Sequence, residues 1–361
     1  MVVVKDEVNF RVNLSYGDSF INDDATTSEE VREGMYLQFI FWGILVPFIA
    51  SFGFVGNTLT MFVLFRREMR STTIYYLRAL VITDSSILLV AVAVLTPFSI
   101  AEISADFKYY KDVVYPLIFT YLNYATMAVQ TCNVWITVSV SVERYIAICH
   151  PFIAPRITTN RTTLIVIGLV TAFSIFYNLP RIFATASRKC AEGDCYELYT
   201  TDFGKTDGYK VAFQVWMYVI VMFVIPLTAL FVLNILIIME LMRMARRRRG
   251  TNIQNDDEAN LSLVLVLIVV VFIICQTPGL IAQFEIFSFP VFLKLLAVSN
   301  TLFVLNSSVN FLIYTFVGRR FRKVLIKRVF FRCVKTESLS FNNFTSNHTH
   351  AYELTRVNDN V

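Results

Sequence analysis

The chain has 361 residues, 56% of them hydrophobic, 15% aromatic and only 16% charged, with a formal net charge of +5. Soluble domains carry about 25% charged residues and a smaller apolar share. A water-soluble enzyme or nucleic-acid binder does not fit this balance, and the lipid bilayer is the expected solvent.

Residues 1–35 hold eight acidic side chains (Asp6, Glu7, Asp18, Asp23, Asp24, Glu29, Glu30 and Glu33) against Lys5, Arg11 and Arg32. The opening MVVVKDEVNF lacks the long apolar core of a cleavable signal peptide, so the first span is expected to direct insertion itself. Asn13-Leu14-Ser15 is a glycosylation sequon in this acidic, solvated tail. A membrane-spanning helix needs roughly 20 mainly apolar residues. Seven stretches qualify: Leu37–Phe65, Ala79–Ile100, Val113–Val142, Thr162–Pro180, Val211–Met239, Leu261–Phe284 and Leu295–Val317. Asp84 is the one charged residue within them. Barrel strands would be shorter and would alternate in polarity, which these runs do not. The expected fold is therefore an all-α seven-transmembrane helix bundle spanning residues 36–332, with a short amphipathic eighth helix beginning at Gly318 and a tail over 333–361.

Basic residues set the orientation. The segments after the first, third, fifth and seventh spans carry Arg66, Arg67 and Arg70; Arg156 and Arg161; Arg243 and Arg246–Arg249; and Arg319, Arg320, Arg322, Lys323, Lys327 and Arg328. The other side has fewer: Lys108, Lys111, Arg188, Lys189, Lys205 and Lys210. The positive-inside rule then puts the amino terminus outside and the carboxyl terminus in the cytosol. The Arg246–Arg249 run also suits anionic membrane lipid.

The cysteines divide by compartment. Cys132 and Cys275 fall in spans, and Cys149 and Cys333 on the cytosolic side; Cys190 and Cys195 lie in the long outer loop after the fourth span. CAEGDC is expected to close a disulfide hairpin around Gly193 on the oxidising side. Cys333, after the basic stretch, is a palmitoylation candidate or an idle thiol.

The third span is uncharged over the thirty residues Val113–Val142 and then meets Glu143-Arg144. A charge at mid-bilayer costs about 2.5–3.5 kcal/mol or more, whereas an Arg at a span end can snorkel, so the pair marks the cytosolic edge. A stop-transfer signal alone would not need the Glu. Glu143-Arg144-Tyr145, followed by Ile146-Ala147-Ile148-Cys149-His150-Pro151, resembles the third-helix end of rhodopsin-like (class A) G-protein-coupled receptors. The family's other motifs fall on successive spans: Gly56-Asn57, Leu80 with Asp84, Pro226, Phe272 with Cys275-Gln276-Thr277-Pro278, and Asn310-Phe311-Leu312-Ile313-Tyr314. Tyr177-Asn178-Leu179-Pro180-Arg181-Ile182-Phe183 and Asn306-Ser307-Ser308-Val309-Asn310-Phe311 are similar to the invertebrate, nematode-type receptors for FMRFamide-like neuropeptides.

The resemblance implies a plasma-membrane receptor that binds an extracellular amidated peptide and acts on a heterotrimeric G protein, the alternative being a class A receptor for another peptide class or a small-molecule transmitter. It implies activation roles for Glu143, Arg144, Tyr145, Pro278, Asn310 and Tyr314, and an ionic lock from Arg144 to Glu258 or, failing that, a solvated Asp256-Asp257-Glu258 cluster. The Ser/Thr-rich tail from Thr336 to Thr355 is a place for phosphorylation read by an arrestin, or a plain solvated tail. No organic cofactor is expected. Asn57, Asp84, Asn133, Asn306, Ser307 and Asn310 are placed to converge inside the bundle, as an allosteric sodium site centred on Asp84 or as an ion-free hydrogen-bond network.

A peptide ending in Arg-Phe-amide presents a cation, a ring and a neutral amide, which call for a carboxylate, apolar contact and hydrogen-bonding side chains. Glu285 is the first carboxylate candidate, with Glu102, Asp106, Asp112 and Asp202 as competitors; Gln130, Gln276, Gln283 and Asn300 are the amide-binding candidates, and Met127, Leu280 and Phe284 the apolar ones. The chain departs from the family in four places. No Cys lies in Val114–Tyr121 to tie the outer loop to the third helix; Gln276 stands where Trp is common, Phe311 where Pro is, and Asn234 where Tyr is. The loop is expected to be less firmly tied, and the usual aromatic toggle and hinge altered.

Rival classes lack their marks. No internal repeats or interrupted helix pairs suggest a transporter. The three His (His150, His348, His350) all fall on the cytosolic side, away from Asp84, and no Walker or dinucleotide glycine motif occurs.

Overall fold

The computed structural model describes residues 25–69, 71–191, 193–247, 256–282 and 287–327. Helix α1 passes through Ala25–Gln38, a π-helical segment Phe39–Leu45 and Val46–Leu64. Helix α2 is Thr72–Ala101; α3 is Tyr115–Cys149 after a π-helical lead-in, Tyr110–Val114; and α4 is Asn160–Asn178, extended by Pro180–Ala184. An antiparallel hairpin of β1 (Thr185–Lys189) and β2 (Tyr196–Thr200) follows. Helix α5 runs through π-helical segments Gly208–Met217 and Ile220–Val224 into Ile225–Arg247; α6 is Asp256–Ala282, α7 Phe289–Val317 and α8 Arg319–Leu325. Among the described residues six helices are long and apolar enough to cross a membrane, and α6 holds a shorter apolar stretch, Val266–Ala282. Each expected span thus falls on a helix, and α8 begins at Arg319, one residue after the expected start at Gly318.

The outward faces are apolar. Phe48, Phe176, Phe231 and Phe316 are each at least 60% exposed. In water such faces would drive aggregation, whereas acyl chains accept them. Inside, three apolar clusters form. One, toward α8, joins Val63, Leu77, Leu80, Ile136, Tyr314 and Phe321. A second joins Trp42, Val46, Leu88, Leu296 and Val304 between α1, α2 and α7. The third joins Met127, Tyr218, Phe223, Leu230 and Phe272 between α3, α5 and α6. The α1–α7 contact is close because Gly53 and Gly56 face α7: a Cβ on Gly56 would stand 2.8 Å from Cβ of Phe311. Small residues at helix interfaces let backbones approach in this way.

The helices outrun their apolar stretches. Helix α2 begins at Thr72 rather than near Ala79, and α3 continues past Glu143-Arg144 to Cys149. Apolar runs mark the hydrocarbon depth, but a helix persists beyond it wherever its polar side chains find partners. Arg78 illustrates this: its Nη2 and Nε donate to the Leu64 carbonyl at 2.7 and 3.2 Å, capping the end of α1, and its guanidinium lies 4.3 Å over the Phe65 ring.

The expected disulfide is present: Cys190–Cys195 closes the hairpin, with Gly193 at φ 84°, a left-handed conformation suited to glycine. The apolar-run reading anticipated the loop but not its two strands. The hairpin is also held to α3 more firmly than the missing family disulfide led us to expect. Thr120 Oγ1 meets Thr185 Oγ1 at 2.9 Å, and Leu198 of β2 packs into a cluster with Val94, Tyr115 and Phe119. Packing here takes the place of the covalent tie that the resemblance implied and the sequence lacks.

Candidate functional site

The polar core is built on Asp84, which is 1% exposed. Its Oδ1 accepts from Asn133 Nδ2 at 2.8 Å and its Oδ2 from Asn310 Nδ2 at 2.8 Å, so one carboxyl group joins α2 to α3 and α7. Asn133 Nδ2 also donates to Thr83 Oγ1 at 2.9 Å, and Asn57 Nδ2 donates to the Ser307 carbonyl at 3.2 Å, adding α1. Leaving a buried polar group unpaired is costly, so these bonds favour one register of the four helices. Two oxygens remain: Asn57 Oδ1 and Ser307 Oγ are buried with no hydrogen-bond partner among the described residues.

Directly beside this network lies a cavity of about 30 Å³, enough for roughly two water molecules. It is lined by Thr126, Gln130, Asn133, Gln276, Asn300, Asn306 and Ser307, with Ile87, Ala91, Leu95, Phe303 and Val304 forming its apolar wall. Three of the amide candidates read from the sequence, Gln130, Gln276 and Asn300, therefore face one space that also reaches the Asp84 network. Gln276 occupies the wall in place of the expected aromatic residue. Met127 and Leu280 instead belong to the apolar packing between α3, α5 and α6. Gln283, Phe284 and Glu285 lie outside the described residues, as do Asn13 and Cys333. Of the other carboxylates, Glu102 is engaged by Lys111 Nζ at 2.8 Å, while Asp202 lies 3.8 Å from Lys205 on the surface.

At the other end of α3, Glu143 and Arg144 are 4% and 9% exposed, so they lie inside the helix packing and Arg144 does not snorkel. Glu143 Oε1 accepts from Thr72 Oγ1 at 2.5 Å and its Oε2 from Thr73 Oγ1 at 2.7 Å; both oxygens also take Arg144, from Nη2 at 2.9 Å and Nε at 3.0 Å. The Glu explains itself: it ties α3 to the first turn of α2 and holds its neighbouring guanidinium. Thr72 and Thr73 were missed in the sequence because they precede the apolar run; their pairing as Thr-Thr at the mouth of a span was the available signal. Tyr145 Oη lies 3.3 Å from His150 Nε2, and Tyr314 is buried against Phe321 with ring centroids 5.6 Å apart. Glu258 is in the first turn of α6, and its side chain lies outside the described residues. Asn234 donates to the Leu230 carbonyl of its own helix at 2.6 Å.

Residues 56–314, most of the bundle just described, match the 7 transmembrane receptor (rhodopsin family) pattern. The chain belongs to that family. Within the rhodopsin family, it is 30% identical to the FMRFamide receptor of Drosophila melanogaster over 83% of this chain and 55% of that receptor. It is 26% identical to the FMRFamide peptide receptor frpr-18 of Caenorhabditis elegans over 82% of this chain and 71% of the relative. It is 28% identical to neuromedin-U receptor 2 of Rattus norvegicus over 75% of this chain and 70% of the relative. The chain thus spans about half the length of the Drosophila receptor. As a rhodopsin-family chain with long apolar helices it is a multi-pass membrane protein.

Proposed function

We propose that this protein is a plasma-membrane receptor for an amidated peptide of the FMRFamide-like class, with its amino terminus outside, acting on a heterotrimeric G protein at its inner end. The observation that carries this reading is the set of amides, Gln130, Gln276 and Asn300, around one cavity whose lining has no charged side chain among the described residues. A primary amide both donates and accepts, so amide side chains pair with a neutral carboxamide terminus without stranding a charge. The kinship with FMRFamide receptors supports the same ligand class. On this reading the cationic residue of the peptide stays above the cavity and pairs with a carboxylate, for which Glu285, Asp106 and Asp112 are the sequence candidates, and binding reaches the inner end through the Asp84 network and the Glu143–Arg144 pair.

Asn57 Oδ1 and the Ser307 hydroxyl belong to the same polar core as the Asp84 carboxyl group, and such oxygen donors suit a hard cation with water, so we assign sodium as the allosteric ion there. The basic residues of α8 lie at the inner leaflet in this orientation, where anionic lipid attracts them, and arrestin is the expected reader of a phosphorylated tail.

The test is to express the chain in cells and screen amidated peptides for calcium and cAMP responses. Saturable activation by an amidated peptide, with potency lowered at least about tenfold by Gln130→Ala or Gln276→Ala, is the expected result. Activation restricted to amines, or to peptides indifferent to their terminal amide, overturns it. Selective response to neuromedin-like peptides would place the chain with its other peptide-receptor relatives instead.

A further inference from the structure

Arg181 is a buried cation with no counter-ion among the described residues. It sits on the Pro180–Ala184 extension of α4, at the hairpin end of the bundle, and is 4% exposed. Its Nε donates to Asn178 Oδ1 at 3.1 Å. Asn178 is fixed in turn by donating to Thr131 Oγ1 of α3 and to the Ser174 carbonyl, both at 2.9 Å. A guanidinium carries five N–H donors. Among the described residues the bond to Asn178 is the one hydrogen bond of this side chain, and no Asp or Glu stands within ion-pair distance of it. The remaining donors point among aromatic rings: the guanidinium carbon lies 5.5 Å from the Phe213 centroid and 5.6 Å from that of Tyr218.

A second observation is independent of the charge. The hydroxyls of Tyr177 and Tyr218 are buried and have no hydrogen-bond partner among the described residues. Both lie within electrostatic reach of the Arg181 charge. Their rings are held in place: Tyr177 stacks on Phe173 at 5.6 Å and packs against Phe213 at 5.4 Å, and Tyr218 meets Phe223 edge-on at 5.6 Å. Ring faces offset part of the cost of burying a cation. They do nothing for two stranded hydroxyl donors, and an uncompensated buried charge is among the costliest features a fold can carry. One occupant meets all three needs. It must accept hydrogen bonds and carry negative charge; a cation or a pure donor would leave every group worse off.

We propose that Arg181, Tyr177 and Tyr218 form a binding site for a single small anionic group, a carboxylate or a halide-sized ion, between α4 and α5. The group comes either from a carboxylate of the extracellular ligand, which rests on the peptide reading above, or from free chloride, which does not.

Two experiments on the full-length receptor separate these sources. In the first, the unfolding temperature of the purified receptor is followed as chloride or acetate replaces gluconate at fixed sodium and ionic strength. A saturable rise that disappears in the Tyr177→Phe/Tyr218→Phe double variant identifies a free anion. That variant keeps both rings and the guanidinium, so it remains informative should Arg181→Gln fail to fold. In the second, an activating peptide bearing a carboxylate is compared with its amide isostere; a potency loss of about tenfold or more in the double variant for the acid alone identifies the ligand as the source. The first experiment needs no agonist, so a chloride effect stands even where no amidated peptide activates the chain. An unfolding temperature indifferent to the anion, with acid and isostere equally affected by the double variant, overturns the site.

Discussion

Asn310 of α7 donates to Oδ2 of Asp84 in α2 at 2.8 Å, across 226 residues of sequence. Because Asn133 donates to the other oxygen at 2.8 Å, the carboxyl group must accept on both sides at once. An Asn at 84 has one acceptor oxygen for two amide donors. Asp84→Asn is therefore expected to set one donor against another, destabilising the bundle by about 1–3 kcal/mol. It is also expected to abolish any effect of sodium on agonist potency. Unfolding temperature and dose–response curves with and without sodium read the two effects separately. A variant with wild-type sodium sensitivity would remove the ion from this site.

The Glu143 clamp makes a second prediction. Thr73 Oγ1 lies 2.7 Å from Glu143 Oε2 in a buried setting, and valine matches threonine in shape while lacking the donor. Thr72→Val/Thr73→Val is expected to leave a buried carboxylate short of two donors, at about 1.5–3 kcal/mol for each charged hydrogen bond. Freed from α2, the inner end of α3 should also hold its resting position less well, raising ligand-free nucleotide exchange at matched surface expression. Glu258→Ala is the companion variant, since Arg144 has Glu143 as its described partner. Raised basal signalling in the threonine variant without a rise in Glu258→Ala would assign the resting restraint to α2 rather than α6.

These two sites show where sequence reasoning was sufficient. The seven spans were legible because exclusion of charge from hydrocarbon is a one-dimensional constraint, and Asp84 stood out as its one exception. Its partners were legible only as a group: Asn57, Asn133, Asn306, Ser307 and Asn310 lie at matching depth in the sequence, and the structure selects Asn133 and Asn310 as the amides that donate to it. Thr72, Thr73 and Arg181 were not legible in the same way. Each lies beyond an apolar run, where a polar residue reads as solvated, and only the extension of α2 and α4 past the hydrocarbon depth buries it. The β1–β2 hairpin was half legible: cysteine spacing disclosed the bridge, but strand pairing depended on Leu198 finding the α3 surface.

The hairpin should tolerate loss of its bridge. Five residue pairs, from Thr185↔Thr200 to Lys189↔Tyr196, hold the strands in register, and the Thr120–Thr185 contact anchors β1 to α3. The ring closed by Cys190–Cys195 is short, so the entropy it removes from the unfolded chain is small, on the order of 2 kcal/mol. Cys190→Ser/Cys195→Ser is expected to reach the cell surface near wild-type levels while its 190–195 tip is cut faster by added protease. Retention inside the cell would show that the bridge is needed for folding.

Phe311 stands where the family commonly has proline, and its surroundings explain why the exchange is not neutral. Its Cβ faces Gly56 of α1, and its ring meets Phe321 of α8 edge-on at 6.3 Å. The side chain thus fills the space that the α1 glycine leaves open and connects α7 to α8. Restoring proline would empty that space and remove the backbone N–H of residue 311 from the α7 ladder, a loss of about 3 kcal/mol for a helix-interior position. Phe311→Pro is therefore expected to lower the unfolding temperature and surface expression. Phe311→Leu, which keeps the N–H and part of the volume, should lose less. Gly56→Ala offers the reciprocal check, since the added methyl must displace the Phe311 side chain. Combined with Phe311→Ala it should recover little of the stability that Gly56→Ala loses, because alanine keeps the Cβ that would lie 2.8 Å from the added methyl and removes only the ring atoms beyond it. Equal unfolding temperatures for Phe311→Pro and the unaltered chain would mean that this contact contributes nothing to the bundle.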